Sequence, residues 1–406
     1  MKARTFAVSM TALAVALVPS IFLTSSSATA TAADASAAAP AASAPLFAYY
    51  YIWFNPSSWN RAKIDYPLIG RYSSDDPAVM REQIREAKSA GIGGFIVSWK
   101  NTATDNRRLQ TLMGVASQEN FKLAMIYEGL DFNRNPLPVS DVATAFKLFR
   151  DTYAPNPVFY RLNGKPLTIW SGTWDYSHAD VASVTSSVRN SMLVLSTEKS
   201  VQGFQRLADV TDGDAYYWSS VNPQTDSGYA AKMAAMSSAV HQAGKYWIAP
   251  FAPGFDARLV GGDSVVSRDN GQTLRAEYAT AVQSSPDVLG LISWNEFSEN
   301  TYVEPSQHYG SFYLQVVHEL RTAVVPLPSS AADSSASPGG AGSGGNRSNL
   351  LWLAGFAIAL VLVVGIANHA RRRTARRREA ALLPSAGRPR YSHEGEAGNH
   401  GTAEIG

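Results

Sequence analysis

The chain has 406 residues, no cysteine and a formal net charge of +2. Lacking cysteine, it can form no disulfide, thiolate zinc site or iron–sulfur cluster, and it has no thiol nucleophile. Between Leu46 and Leu327 it carries 24 Lys and Arg against 27 Asp and Glu, so the central part has no basic excess of the kind a nucleic-acid-binding domain displays.

The first segment is about destination. Lys2 and Arg4 precede an apolar stretch, and Ala28-Thr29-Ala30 and Ala30-Thr31-Ala32 both fit a small-x-small cleavage site. This pattern predicts a secretory signal peptide over residues 1–32, then an Ala/Ser-rich spacer over 33–45. An uncut N-terminal anchor is the other reading of the same residues.

From residue 46 to 327 apolar runs of strand length recur eight times, at 46–54, 93–100, 122–129, 166–172, 192–198, 215–220, 245–254 and 289–296. Helical spacing fills most of the intervals. Asp76-Pro77 opens one helix, which closes at Gly91. Ser140 or Asp141 is the expected cap of another. A third ends at Gly244, a fourth follows Gly271, and residues 204–209 allow only a very short one. Near-continuous apolar strands alternating with helices indicate a parallel sheet covered on its outer face. The expected fold class is α/β, a (β/α)8 TIM barrel over 46–327. An open doubly wound sheet is the alternative. However, FAYYYIWFNPSS after the first run has no glycine-rich phosphate loop, which argues against nucleotide binding.

Beyond the barrel, 328–349 is Ser/Gly/Ala-rich and reads as a flexible stalk. Residues 350–367 are 18 uncharged residues, long enough to span a bilayer as one transmembrane helix. Arg371, Arg372, Arg373, Arg376, Arg377 and Arg378 follow, placing the 368–406 tail in the cytoplasm by the positive-inside bias. The layout predicts a single-pass cell-membrane protein with an extracellular barrel, and a tethered monomer suffices for it.

In a TIM barrel the C-terminal strand ends share one face, and that face carries the chemistry. Those positions read Tyr51, Trp53, Trp99, Tyr127, Glu128, Trp170, Trp174, Asp175, Glu198, Tyr217, Trp218, Asp256, Asn295, Glu296 and Glu299. Aromatic platforms and acidic acceptors match the apolar faces and hydroxyls of sugars, although any single ring could equally fill the core. Glu296 is expected to end the eighth strand, with Glu299 three residues on. Paired carboxyls, one protonated and one ionised, are what glycoside hydrolysis needs. Glu304-Pro305 reads as an anchor for the same loop.

The segment WNEFSENTYVEPS resembles the WNEWHEGTxIEP signature of glycoside hydrolase family 99, the endo-α-mannosidases and endo-α-mannanases, and more broadly the family 71/99-like group. YYYIWF, RYSSDDPAVMREQIREAKSAGIGGFIVSWK, DGDAYYWSS and the FAPGFDARLV…RDNG region are similar to further family elements. The resemblance implies a retaining hydrolase on a (β/α)8 barrel, with a polysaccharide or glycan as partner and no metal or organic cofactor. It implies that Glu296 acts as base on the substrate's own 2-hydroxyl, giving a 1,2-anhydro sugar, and that Glu299 is the general acid and then the base for water. Trp99, Glu128 and Tyr217 fall where the family places sugar contacts. Phe297, Ser298 and Asn300 stand where the signature has Trp, His and Gly, and are expected to shape the sugar subsites. That leaves α-mannan-like and α-1,3-glucan specificities open, beside a non-catalytic carbohydrate-binding or polysaccharide-assembly role.

Overall fold

The computed structural model describes residues 44–322. Eight strands form its centre: β1 Leu46–Tyr51, β2 Gly94–Trp99, β3 Lys122–Glu128, β4 Lys165–Ser171, β5 Leu193–Ser196, β6 Gly213–Ala215, β7 Tyr246–Phe251 and β8 Val288–Leu291. Each pairs in parallel with its sequence neighbours, and β1 pairs with β8 (Leu46 opposite Leu289), so the sheet closes on itself. This is the (β/α)8 barrel, and closure excludes the open sheet. A short strand, Arg161–Leu162, lies antiparallel to the start of β4. A small hairpin, Phe255–Asp256 with Val265–Val266, stands in the loop after β7.

The helices are α1 Pro77–Ser89, α2 Ala103–Gln118, α3 Val139–Leu148, α4 His178–Thr185, α5 Val201–Leu207, α6 Tyr229–Gln242, α7 Gln272–Gln283 and α8 Phe312–Thr322. Local chemistry sets several of their starts. Asp76 accepts from the Ala78 amide ahead of Pro77, Thr102 from Asp105, and Ser200 from Gly203; Ser177 and Asp180 form a capping box. α3 differs from expectation. It begins at Val139, and Ser140 and Asp141 lie inside its first turn, because Pro138, at φ −54°, leads straight into the helix without a side-chain cap.

Side chains alternate across each strand and build two layers. Tyr49, Tyr51, Ile96, Ala124, Ile126, Leu167, Ile169, Leu195 and Ile248 fill the barrel interior. Tyr50, Phe95, Val97, Trp99, Met125, Tyr127, Trp170, Val194 and Trp247 pack outward against the helices. Two strand boundaries depart from the sequence reading. The sixth strand is Gly213–Ala215, so most of the aromatic run 215–220 lies beyond it. Gly213 is required there, since a Cβ would come 2.0 Å from the Tyr246 carbonyl oxygen. β8 ends at Leu291, five residues before Glu296.

The spacer's last residues already belong to the barrel: Ala44 is buried, and the Pro45 carbonyl accepts from Leu289. The signal peptide, the rest of the spacer, the stalk, the 350–367 run and the basic tail lie outside the described residues. Among the described residues no helix is long and apolar enough to cross a membrane.

Candidate active site

After β8 the chain makes a loop closed by its own hydrogen bonds. The Ser293 amide donates to the Thr301 carbonyl (2.8 Å) and the Val303 amide to the Ser293 carbonyl (3.0 Å). The Glu296 amide donates to Ser293 Oγ (2.8 Å), and the Thr301 amide returns to the Glu296 carbonyl (3.2 Å). Asn295 clamps the loop to β1: its Oδ1 accepts from the Tyr51 amide (2.8 Å), and its Nδ2 donates to the Tyr51 carbonyl (3.0 Å). Glu296, Ser298 and Glu299 are therefore carried on a braced loop at the C-terminal mouth.

Glu296 is 4% exposed, and its carboxylate accepts from the Ser298 amide at 2.7 Å. Burial raises its pKa, the charge of Glu299 adds to the rise, and Ser298 and Lys63 oppose it. Glu299 is partly buried. Burial raises it too, with Arg134 opposing and Glu128 adding. Glu128, the last residue of β3, turns inward and accepts from Ser98 Oγ at 2.8 Å. Burial again raises its pKa, against hydrogen bonds from Ser98 and Ser171 and the charges of Lys100 and Arg134. The Tyr51 and Tyr217 hydroxyls meet at 2.7 Å, and both glutamates bear electrostatically on this pair. Trp53 is 45% exposed, its ring 4.4 Å from that of Tyr51. Three carboxyls, two phenols and an open indole thus share one mouth. Such a pocket can exchange a proton between carboxyls and lay an aromatic plane against a sugar ring.

Four expected sugar contacts are not brought to this mouth as free groups, and Tyr127 and Trp170 of the same expected ring also pack outward. Trp99 points outward, 1% exposed, with its indole N–H on Asn106 and its ring against Tyr127, Phe149 and Tyr153. Trp218 also points outward, stacked between Tyr216 and Tyr229 with Lys232 over its ring. Asn295 is fully buried, and its amide is spent on Tyr51 and the Tyr72 hydroxyl, so it positions the loop. Asp256 lies beside Glu299, its amide donating to the Glu299 carbonyl, but its carboxylate is held by Arg258 at 2.6 and 2.9 Å. Conversely, Ser98, Lys100, Lys63 and Arg134 attend the carboxyls although the sequence did not point to them. For Ser98 and Lys100 the available signal is parity, since they alternate with outward-facing Trp99.

The family model for glycosyl hydrolase family 99 matches residues 60–311. The chain belongs to that family. It is 26% identical over 267 residues to a mouse glycoprotein endo-alpha-1,2-mannosidase-like protein, covering 59% of this chain and 57% of that protein. It is 24% identical over 279 residues to the mouse glycoprotein endo-alpha-1,2-mannosidase, covering 61% and 59%. The chain therefore spans less than three fifths of the length of these relatives. The solved family 99 endo-alpha-mannosidase from Bacteroides thetaiotaomicron matches with a TM-score of 0.58 at 21% identity, over 68% of this chain and 96% of that one. A solved glycoside hydrolase-like protein matches at 0.52 and 16% identity, over 69% and 94%. These likenesses establish the fold.

Placed in the family 99 barrel, the three departures from the signature separate. Phe297 is fully buried, stacked on Tyr302 at 4.0 Å and edge-on to Trp59, so it belongs to the loop's support and lines no subsite. Asn300 sits at φ +54°, the left-handed region that suits the glycine of the signature and that asparagine tolerates better than most residues. Of the three, Ser298 alone bonds a carboxylate of the pair, that of Glu296. Glu304 and Pro305 anchor the loop: Glu304 accepts from Gln83 (2.7 Å) and Tyr72 (3.0 Å), and the Pro305 carbonyl from Leu68 (2.8 Å).

Proposed function

We propose that the protein is a retaining, endo-acting glycoside hydrolase that cleaves an α-mannan-like polysaccharide, with Glu296 and Glu299 as its catalytic pair. The observation that carries this reading is the braced loop, which holds two carboxyls of raised pKa at the barrel mouth beside Trp53, Tyr51, Tyr217 and Glu128. Membership of family 99 and the endo-alpha-mannosidase names of its relatives support the substrate class. In the carried-over scheme Glu296 takes the proton of the substrate 2-hydroxyl as that oxygen attacks the anomeric carbon. Glu299 gives its proton to the departing glycosidic oxygen. Water then opens the 1,2-anhydro sugar: Glu299 takes the water proton as the C1–O2 bond breaks, and Glu296 returns its proton to the 2-oxygen.

The deeper burial of Glu296 opposes its ionised form, while the reaction needs Glu296 ionised and the proton on Glu299. Substrate resolves the conflict. A 2-hydroxyl donating to Glu296 favours its ionised form, and a glycosidic oxygen that needs a donor favours protonated Glu299. Substrate contacts of this kind place the charge on Glu296 and the proton on Glu299. The larger setting we propose is an exported barrel (46–327) following a cleaved signal peptide (1–32), tethered by a stalk (328–349) and one membrane helix (350–367).

The test is a product assay on α-mannans and α-1,3-glucans, with released oligosaccharides followed by mass spectrometry. Oligosaccharides of mixed length should appear with the wild type. Glu296→Gln and Glu299→Gln should each lower turnover by about 10²–10⁴-fold, the usual worth of a general acid or base. Activity should fall as pH rises through the raised pKa of the acid. Release from the glucan alone would replace the specificity. Binding without release would replace the hydrolase by a carbohydrate receptor.

A further inference from the structure

Arg268 is 5% exposed and, among the described residues, pairs with no carboxylate. Its guanidinium carbon lies 4.4, 4.9 and 4.4 Å from the ring centroids of Tyr302, Tyr309 and Tyr313. Its Nη2 donates to the carbonyls of Asn300 (3.0 Å) and Tyr302 (2.8 Å), while Nε and Nη1 have no partner. Gly254 makes room for it, since a Cβ there would come 2.7 Å from Arg268 Cγ. A buried cation without a counter-ion is costly. The offsetting terms are three aromatic faces and two carbonyl dipoles.

Both carbonyls lie just after Glu299. On the other side of the turn the Asp256 amide holds the Glu299 carbonyl at 2.8 Å. The backbone oxygens of residues 299, 300 and 302 are therefore all fixed by the β7–α7 loop, residues 252–271. Glu296 has separate supports: Ser293 beneath its amide, and the neighbouring Asn295 clamped to β1. The two glutamates are held from different sides of one loop.

We propose that Arg268 is a positioning residue for Glu299, fixing its backbone from the β7 loop while leaving Glu296 in place. This rests on the assignment of Glu299 as the acid. Loss of the arginine should misplace one carboxyl of the pair and injure the step that protonates the leaving group. Lysine keeps the charge but not the planar fork, so it should restore only part of the function.

The test compares wild type, Arg268→Lys and Arg268→Met on two substrates, a polysaccharide and an α-mannosyl fluoride, whose leaving group needs little protonation. On the polysaccharide, kcat should fall by about 10²-fold in Arg268→Met, the usual scale for an ångström of misplacement, with KM within about 2-fold. Arg268→Lys should fall between the two. On the fluoride kcat/KM, which runs only to departure of the leaving group and not to the later attack of water, should fall several-fold at most. Equal loss on both substrates, or none on either, overturns the proposal. Hydrogen exchange supplies a readout independent of turnover. In both variants amides of residues 299–303 should exchange faster, with those of Trp294, held by the Tyr49 carbonyl, and Glu296, held by Ser293 Oγ, unchanged. Uniform acceleration across the loop means a merely structural arginine, and unchanged exchange at 299–303 also rejects it. A wild type that cleaves neither substrate defeats the hydrolase reading, and exchange still decides what Arg268 holds.

Discussion

Glu304 shows how one residue ties the loop after β8 to the outer shell. The Tyr50 hydroxyl donates to Gln83 Oε1 (2.5 Å), Gln83 Nε2 to Glu304 (2.7 Å), Tyr72 to Glu304 (3.0 Å), and Asn295 to the Tyr72 hydroxyl (3.1 Å). The chain of bonds runs from helix α1 to the residue before Glu296. Burial pushes the Glu304 pKa up to about 8, with Gln83 and Tyr72 opposing. The native state thus keeps this proton to higher pH than the unfolded chain does. Stability falls as pH rises wherever the native state binds more protons. The contribution of Glu304 is complete below the unfolded carboxyl range near 4.5 and is lost as pH climbs towards 8. Melting temperature should drop between pH 5 and pH 8, and Glu304→Gln, neutral throughout, should flatten part of that slope. Other carboxyls raised by burial, among them Glu277, Asp214, Glu296 and Glu86, contribute to the slope that remains. An identical slope in the variant would remove Glu304 from the account.

At the scale of elements, the β8 loop depends on one left-handed residue. Asn300 at φ +54° has a buried Oδ1 with no partner, so its side chain contributes little beyond tolerating the turn. Asn300→Gly should leave the urea midpoint nearly unchanged, whereas Asn300→Val should cost about 1–2 kcal/mol, the penalty for a side chain in that region. Equal midpoints for the two variants would mean the loop has another way to turn. Most strands were legible because apolar runs of strand length mark them, and the loop after β8 because it lies in a dense motif. The facing of the aromatics was not legible. Both sides of a covered parallel strand are apolar, so alternation is silent, and Trp99 and Trp218 read as mouth residues while packing outward. β6 was obscured for a different reason. Its Gly213-Asp214 resembles a turn, while the aromatics beyond it resemble a strand. Lys63 and Arg134 come from loops far from the motif, and only the fold brings them to the carboxyls.

At the scale of the molecule, the direction of the barrel decides where its ends leave. β1 starts at Leu46 on the N-terminal face, opposite the mouth. α8 runs back to that same face, where His318 bonds the Ser89 carbonyl and Arg321 lies against Gly91, in the turn between α1 and β2. Both ends of the described chain therefore emerge away from Glu296 and Glu299. Under the proposed layout this matters for function, because a tether attached at Thr322 makes no demand on the residues that bind glycan. The expected behaviour follows. The full chain should fractionate with membranes, with its barrel open to protease added outside intact cells. A chain ending at Leu327 should appear in the medium and cleave a soluble glycan at the full-length rate. A truncated chain that stays with the membrane would relocate the anchor to the uncut N-terminal segment. Full-length protein found in the medium would remove the anchor altogether. A released chain with impaired turnover would mean that residues beyond 327 contribute to the barrel itself.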